Sequence, residues 1–285
     1  MALQHRLILI EGIPGSGKTT LAERLERWLQ DRGEQAVLYR EGDAHPADMA
    51  WQALLTADEY ASVLNEYPHL ADRLATLASP EDGHWVVPYT QLGYEAMGPD
   101  LIAFFAAREV YGGKLSLEAF ADLHLARWTR FAGQALANPD AVYLFECSYL
   151  QNHVNELLLF HDLGEEAVFT HLDTLAEPVM PLCPLLLYLD QPDPAETIRR
   201  VARSRVSPPG SGRPDWAQLM AAYVENSPYG RTHGIRGFED GLRFIRYRKQ
   251  LEMAVWPRLR MDRAILRNPD YDWDVVFASM TAAVT

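Results

Sequence analysis

The sequence predicts a three-layer α/β/α sandwich built on a five-stranded parallel sheet, and three observations carry that prediction. Short, wholly apolar runs recur along the 285 residues. Segments with helical periodicity separate them. A glycine-rich turn joins the first run to the first helix. Strands buried on both faces lose polar alternation, and parallel neighbours need crossover helices between them.

The elements follow in order. Residues 7–10 (LILI) form the first strand, which stops at Glu11. Residues 18–32 are helical, because Leu21, Leu25, Trp28 and Leu29 recur at helical spacing. Gly33 is a plausible stop. Runs 36–39, 141–145 and 185–189 are the second, third and fourth strands, 264–266 is the fifth, and a last helix lies near 273–282. Two stretches break the alternation. Residues 44–138 read mostly helical and are rich in aromatics, among them Trp51, Trp85, Tyr89, Tyr94 and Trp128. Residues 206–260 begin with SPPGSGRP, a turn-rich run that cannot be a regular element. The whole, 1–285, is expected to be one domain, with 44–138 as a helical insertion and 199–236 as a lid-like segment.

Composition narrows the function. A chain of 285 residues can bury a large core without staples. Its 26 basic and 39 acidic residues leave a net charge of −13. That balance argues against nucleic acid or an anionic membrane as partner, since either would be held by phosphate neutralisation. Three lysines stand among 23 arginines. Cys147 and Cys183 form no CxxC, the histidines show no HExxH, and neither pattern points to zinc. No apolar run is long enough to span a bilayer or to serve as a signal peptide, so a cytoplasmic protein is expected. A homodimer is compatible with the sequence, which marks no interface.

The loop Gly12-Ile13-Pro14-Gly15-Ser16-Gly17-Lys18-Thr19 matches GxxxxGK[ST] and sits between a strand and a helix, as a P-loop NTPase fold requires. Glycines let the backbone approach phosphates with N–H groups turned inward. The helix start adds positive partial charge. Gly12, Pro14, Gly15, Ser16, Gly17, Lys18, Thr19 and Thr20 are the expected nucleotide contacts. Lys18 would reach the β- and γ-phosphates, and Thr19 would ligate Mg²⁺. NKxD and LSGGQ, the marks of GTPases and transporter ATPases, are absent.

Ligands of an open parallel sheet gather outside the carboxyl ends of its strands. Acids stand there in Arg40-Glu41-Gly42-Asp43, in Glu146-Cys147-Ser148, and at Asp190. Glu41 is the first choice for general base, Asp43 the second choice or a substrate contact, and Glu146 the Mg²⁺ acid. Helix capping or loop ion pairing is the competing account of each. Between 199 and 213 lie five arginines and no acid. Arg203 and Arg205 belong to this island, which would close over a transferring phosphoryl group. A solvated, ion-paired helix face is the alternative.

These residues resemble the thymidylate kinase-like nucleoside and nucleotide kinases. IEGIPGSGKTTLAERL resembles their first strand, loop and helix, and REGD their acidic motif. ECS is similar to their acid-Arg-Ser motif without its arginine. LLLYLD followed by IRRVARSR resembles their fourth strand and lid helix. EGDAHPAD and FECSYLQN also look like a group of bacterial P-loop proteins. The likeness spans about 6–43, 141–148 and 185–205, roughly a quarter of the chain. It implies ATP and Mg²⁺ as cofactors, with Glu41, Arg203 and Arg205 in the roles above.

By the same resemblance the acceptor would lie under the helices of 44–138. Tyr89, Gln91 and Arg127 are its expected contacts, with Gln151, Asn152, His153 and Glu156 also near the cleft. Core packing is the competing account of the aromatics. The function expected is ATP-dependent phosphoryl transfer to a hydroxyl or phosphate of a small molecule: a nucleoside, a nucleotide, an antibiotic or another metabolite. The alternative is a P-loop ATPase or nucleotide-dependent switch without an acceptor. A polynucleotide 5′-kinase would need a basic groove.

Overall fold

The computed structural model describes residues 3–210 and 212–285. Of the expected 1–285 domain and 199–236 lid, Met1, Ala2 and Ser211 lie outside the described residues. In chain order the elements are β1 (Leu7–Gly12), α1 (Lys18–Gln30), β2 (Gln35–Tyr39), β3 (Ala53–Thr56), α2 (Ala57–Glu66), α3 (Ala71–Leu77), β4 (Ser79–Glu81), β5 (His84–Val87), α4 (Tyr94–Ala106) and α5 (Leu117–Ala137). They continue with β6 (Ala141–Glu146), α6 (Gln151–Leu159), α7 (Glu165–Ala176), β7 (Leu185–Asp190), α8 (Pro194–Ser204), α9 (Trp216–Glu225), α10 (Pro228–Thr232), α11 (Gly237–Val255), β8 (Asp262–Arg267) and α12 (Trp273–Val284).

The main sheet is parallel, in the order β2-β6-β1-β7-β8. All five strands expected from the apolar runs are present. Alternate residues of β1 point to opposite faces. Leu7 and Leu9 enter a core with Trp128, Phe131, Leu157, Leu172 and Val255. Ile8 and Ile10 enter another with Leu21, Leu25 and Leu29 of α1 and with Val276 and Met280 of α12. Both faces are therefore covered, which is why the strands carry no polar alternation. The fold is a P-loop α/β/α sandwich.

The stretch 44–138, expected to be mostly helical, holds helices and also a second sheet. Its three antiparallel strands run in the order β3-β5-β4. This unit has its own core of Ala53, Leu55, Tyr60, Leu74, Val87, Tyr89 and Phe105. It is tied to the sandwich through α6: the buried Glu156 carboxylate accepts the backbone N–H groups of Gly112 (2.7 Å) and Gly113 (2.8 Å). Among the described residues, no helix is long and apolar enough to cross a membrane.

Candidate active site

β1 lies between β6 and β7, so the loop after it opens at the carboxyl ends of the central strands. Gly17 ends the loop at φ 97°, a left-handed backbone that favours glycine. A Cβ at Gly17 would meet the Trp273 ring at 2.3 Å. The indole wall thus closes on the loop as far as glycine permits. Ser16 is buried, and its hydroxyl has no partner among the described residues. Lys18 is also buried, with its ammonium shared among the carbonyls of Gly12 (3.1 Å) and Ile13 (3.0 Å) and Gln151 Oε1 (3.1 Å). Three acceptors hold its three N–H bonds at the loop, where phosphate oxygens would compete for them. An unpaired hydroxyl, a glycine-only approach and a poised ammonium fit a polyphosphate. Thr20 is exposed at the same helix start.

Thr19 donates its hydroxyl to Glu146 Oε1 at 2.5 Å. Burial raises the Glu146 carboxyl, and the Thr19 hydrogen bond and Lys18 charge oppose this. Two hard oxygens side by side suit Mg²⁺, which takes oxygen ligands and keeps several waters.

Glu41 follows β2. It is open to solvent. Crowding raises its carboxyl above the usual 4.5, Lys18 opposes this, and the Asp48 charge adds to it. The Cys147 thiol and the Trp51 indole also favour its ionised form, and its Oε2 accepts a long hydrogen bond from Gln151 Nε2 at 3.4 Å. One amide, Gln151, thereby spans the loop lysine and the cleft carboxylate.

Glu11, where the first apolar run ends, caps α6. Its fully buried carboxylate accepts from the backbone N–H groups of Tyr149 (2.7 Å), Leu150 (3.0 Å) and Gln151 (2.9 Å). Burial raises it to about 7 against the pull of those amides and of Lys18. This cap fixes the helix that carries Gln151. Sequence reasoning passed over Glu11, although a lone acid closing an apolar strand beside a phosphate loop marks it.

Several expected site residues have other work. Asp43 closes its own turn by accepting from Arg40 N at 2.8 Å. Tyr89 is buried, stacks on Phe105 and donates to Glu109 at 2.5 Å. Arg127 is buried and bound to Glu81 Oε2 (2.8 Å) and the His45 carbonyl (2.6 Å), so its fork is occupied. Gln91 donates to the Gly42 carbonyl at 2.9 Å and braces the Glu41 turn from the insertion. Arg203 is exposed and paired with Glu196 at 2.6 Å on its own helix. Arg205 lies over the Trp216 ring. The neighbouring Arg199 pairs with Glu239, and Arg200 covers Tyr271. In this structure Arg199, Arg200, Arg203 and Arg205 are ion-paired or stacked at the surface, while α8, which carries the first three, packs on the phosphate loop: a Cβ at Gly15 would meet Val201 at 2.2 Å.

The cleft beside Glu41 is lined by residues the sequence did not single out. Trp51 is 49% exposed at φ 59°, a left-handed backbone in which a tryptophan is strained. Tyr223 of α9 also keeps solvent access. Burial raises its phenol, as do the charges of Glu156, Glu109 and Glu41 facing it. Its ring meets Phe160 edge-on at 5.3 Å.

No family model matches the chain, and no curated protein matches it. Among solved structures, thymidylate kinase from Candida albicans is similar, with 15% sequence identity, coverage of 99% of this chain and 92% of that one, and a TM-score of 0.40.

Proposed function

We propose that the chain is an ATP- and Mg²⁺-dependent phosphotransferase that phosphorylates a hydroxyl of a small molecule. The observation that carries this reading is the Gln151 bridge, with Lys18 Nζ on its oxygen and Glu41 on its nitrogen. That bridge sets a carboxylate where it can orient a nucleophile toward the γ-phosphate, and the exposed Trp51 ring next to it favours an organic acceptor over water alone. When bound, ATP·Mg²⁺ supplies the transferable phosphoryl group. Lys18 and the loop amides hold its phosphates, and Thr19 with Glu146 holds the cation. Glu41 orients the acceptor hydroxyl and takes its proton. The raised carboxyl suits that task, because a stronger base takes the proton more readily near neutral pH.

The acceptor is a hydroxyl compound without a phosphate of its own. The insertion's arginines are committed elsewhere: Arg127 and Arg130 to Glu81, Arg108 to Glu59, and Arg73 to the Gln91 carbonyl. Trp51, exposed and packed near Gly42 next to Glu41, offers a ring face that suits a flat or sugar-like molecule.

The test is a metabolite-library screen by mass spectrometry with ATP and Mg²⁺. The expected result is one compound gaining one phosphoryl group, lost in Lys18→Ala. Production of ADP with every acceptor candidate unmodified would favour the hydrolytic switch.

A further inference from the structure

We propose that Asp48, His124 and His153 form a buried binding site for a divalent first-row transition ion, separate from the Thr19–Glu146 pair. One donor atom from each lies within 4.8 Å of the others, and all three residues are buried. They come from the loop after β2, from α5 and from α6. Only the folded chain brings them together, so no sequence motif announces them.

The hydrogen bonds identify His124 Nε2 and the Asp48 oxygens as bare electron-pair donors and leave His153 Nε2 free to be a third. His124 Nδ1 lies 2.9 Å from the Phe120 carbonyl, which can only accept, so Nδ1 carries the proton. Its Nε2 is then a lone pair, and it is buried without a partner. It faces Asp48 Oδ1 at 3.9 Å, so one acceptor confronts another with no hydrogen between them. Asp48 Oδ1 already takes the Tyr111 hydroxyl at 2.5 Å, and Oδ2 takes Asn152 Nδ2 at 2.9 Å. His153 Nδ1 is bonded to His171 Nε2 at 3.0 Å, leaving its own Nε2 buried and unpaired.

His45 shows the contrast. Its Nδ1 accepts two backbone N–H groups, from Ala47 (3.0 Å) and Asp48 (2.8 Å). Its unpaired Nε2 therefore carries a hydrogen and cannot ligate.

A cation between the three donors resolves the conflict. Metal-bound imidazoles usually donate their other N–H to a carbonyl or similar acceptor, as His124 does to Phe120 and as His153 can to His171. Two imidazoles and a carboxylate suit zinc, iron or nickel better than Mg²⁺ or Ca²⁺. Tetrahedral zinc sets its ligand atoms about 3.3 Å apart, so the rings close inward slightly on loading. His171, whose Nε2 meets His153 Nδ1, also lines a cavity of about 80 Å³ between α5 and α7 with Ala121, Asp122, Leu125, Thr174 and Leu175.

The test loads purified full-length protein with Zn²⁺ in excess Mg²⁺, dialyses it, and measures zinc per chain by elemental analysis. The expected result is one zinc per chain, retained in Glu146→Gln and lost in His124→Gln and His153→Gln. Circular dichroism checks that the variants fold. Because core variants can fail to fold, X-ray absorption on the zinc-loaded wild type is a second reading, with two imidazoles and at least one carboxylate oxygen expected. A folded wild type that keeps no zinc, folded histidine variants that keep it undiminished, or a zinc shell without two imidazoles would each overturn the site.

Discussion

The Thr19 hydroxyl meets Glu146 Oε1 at 2.5 Å across 127 positions of sequence. The register makes that contact, since Ile10 of β1 pairs with Glu146 of β6. The loop after β1 must then pass the end of β6. Glu146→Gln keeps the size and loses the charge. The expected result is a rise of about tenfold or more in the Mg²⁺ concentration needed for tight nucleotide binding, with Mg²⁺-free affinity little changed. Calorimetric titration with and without Mg²⁺ reads both. An unaltered Mg²⁺ requirement would remove Glu146 from the cation site.

Glu41 should set the acid limb of the pH–rate profile. Its carboxyl is raised above 4.5 by its crowded cleft, and only the ionised form accepts a proton. Transfer therefore falls as pH drops through a midpoint above 4.5. Glu41→Gln should lose about 10²–10⁴ in kcat while nucleotide affinity holds. Stopped-flow transfer rates against pH, paired with equilibrium nucleotide binding, give the comparison. A variant as fast as the wild type would place the base elsewhere.

The main sheet and phosphate loop were legible because their signals are local. An apolar run and a glycine-lysine turn need no distant partner to be recognised. The second sheet was missed because its strands are three and four residues long, too short to show a period. One cue did exist. Asp82-Gly83 is a hairpin turn with φ of 43° and 78°, and Asp-Gly is a favoured pair for such turns. The acceptor side failed for another reason. Tyr89 and Arg127 have the right chemistry for a ligand, but Glu109 and Glu81 inside the insertion already satisfy them. Partnering across 20 or 46 positions is invisible to spacing. For the arginine island, expected to act at the phosphate loop, the acids that engage it lie seven and forty positions away.

Arg127 should therefore behave as a structural residue. Its guanidinium and the Glu81 carboxylate are both almost fully buried, 2.8 Å apart. Removing Arg127 leaves the buried Glu81 carboxylate to Arg130 alone and orphans the His45 carbonyl, which costs about 1–3 kcal/mol. Arg127→Ala should lose that much in urea unfolding. The double variant with Glu81→Ala should lose less than the sum of the singles. A stable Arg127→Ala protein with a raised acceptor KM would reverse the assignment.

Glu11 links stability to pH. Its folded value, about 7, lies above its ordinary 4.5. The folded chain thus holds that proton more tightly than the unfolded chain does. The resulting stability is fully present below about 4.5 and is lost as pH rises through about 7, on the order of 3 kcal/mol in total. Other raised carboxyls titrate nearby, so the useful quantity is a difference. Wild type minus Glu11→Gln, by urea midpoint at several pH values, should fall between pH 5 and 8. A flat difference would mean that the α6 amides keep Glu11 ionised throughout.

Trp51 gives the most direct handle on the acceptor. Its strained backbone, its exposure and its ring's place against Gly42, next to Glu41, occur together at the cleft mouth. Strain of this kind persists only where the surroundings enforce it. Trp51→Phe keeps a ring face and loses the indole N–H. Trp51→Ala loses both. If the ring stacks on the acceptor, Ala should raise the acceptor KM by about 2- to 10-fold and Phe should recover most of that. If the indole instead tunes Glu41, Phe and Ala should depress kcat alike and shift the acid limb of the pH profile together. Nucleotide affinity stays level in both cases, because neither role has the ring touch the nucleotide. Steady-state kinetics on the two variants separates these roles. A tryptophan whose loss changes neither KM nor kcat would show that the acceptor approaches Glu41 from another wall.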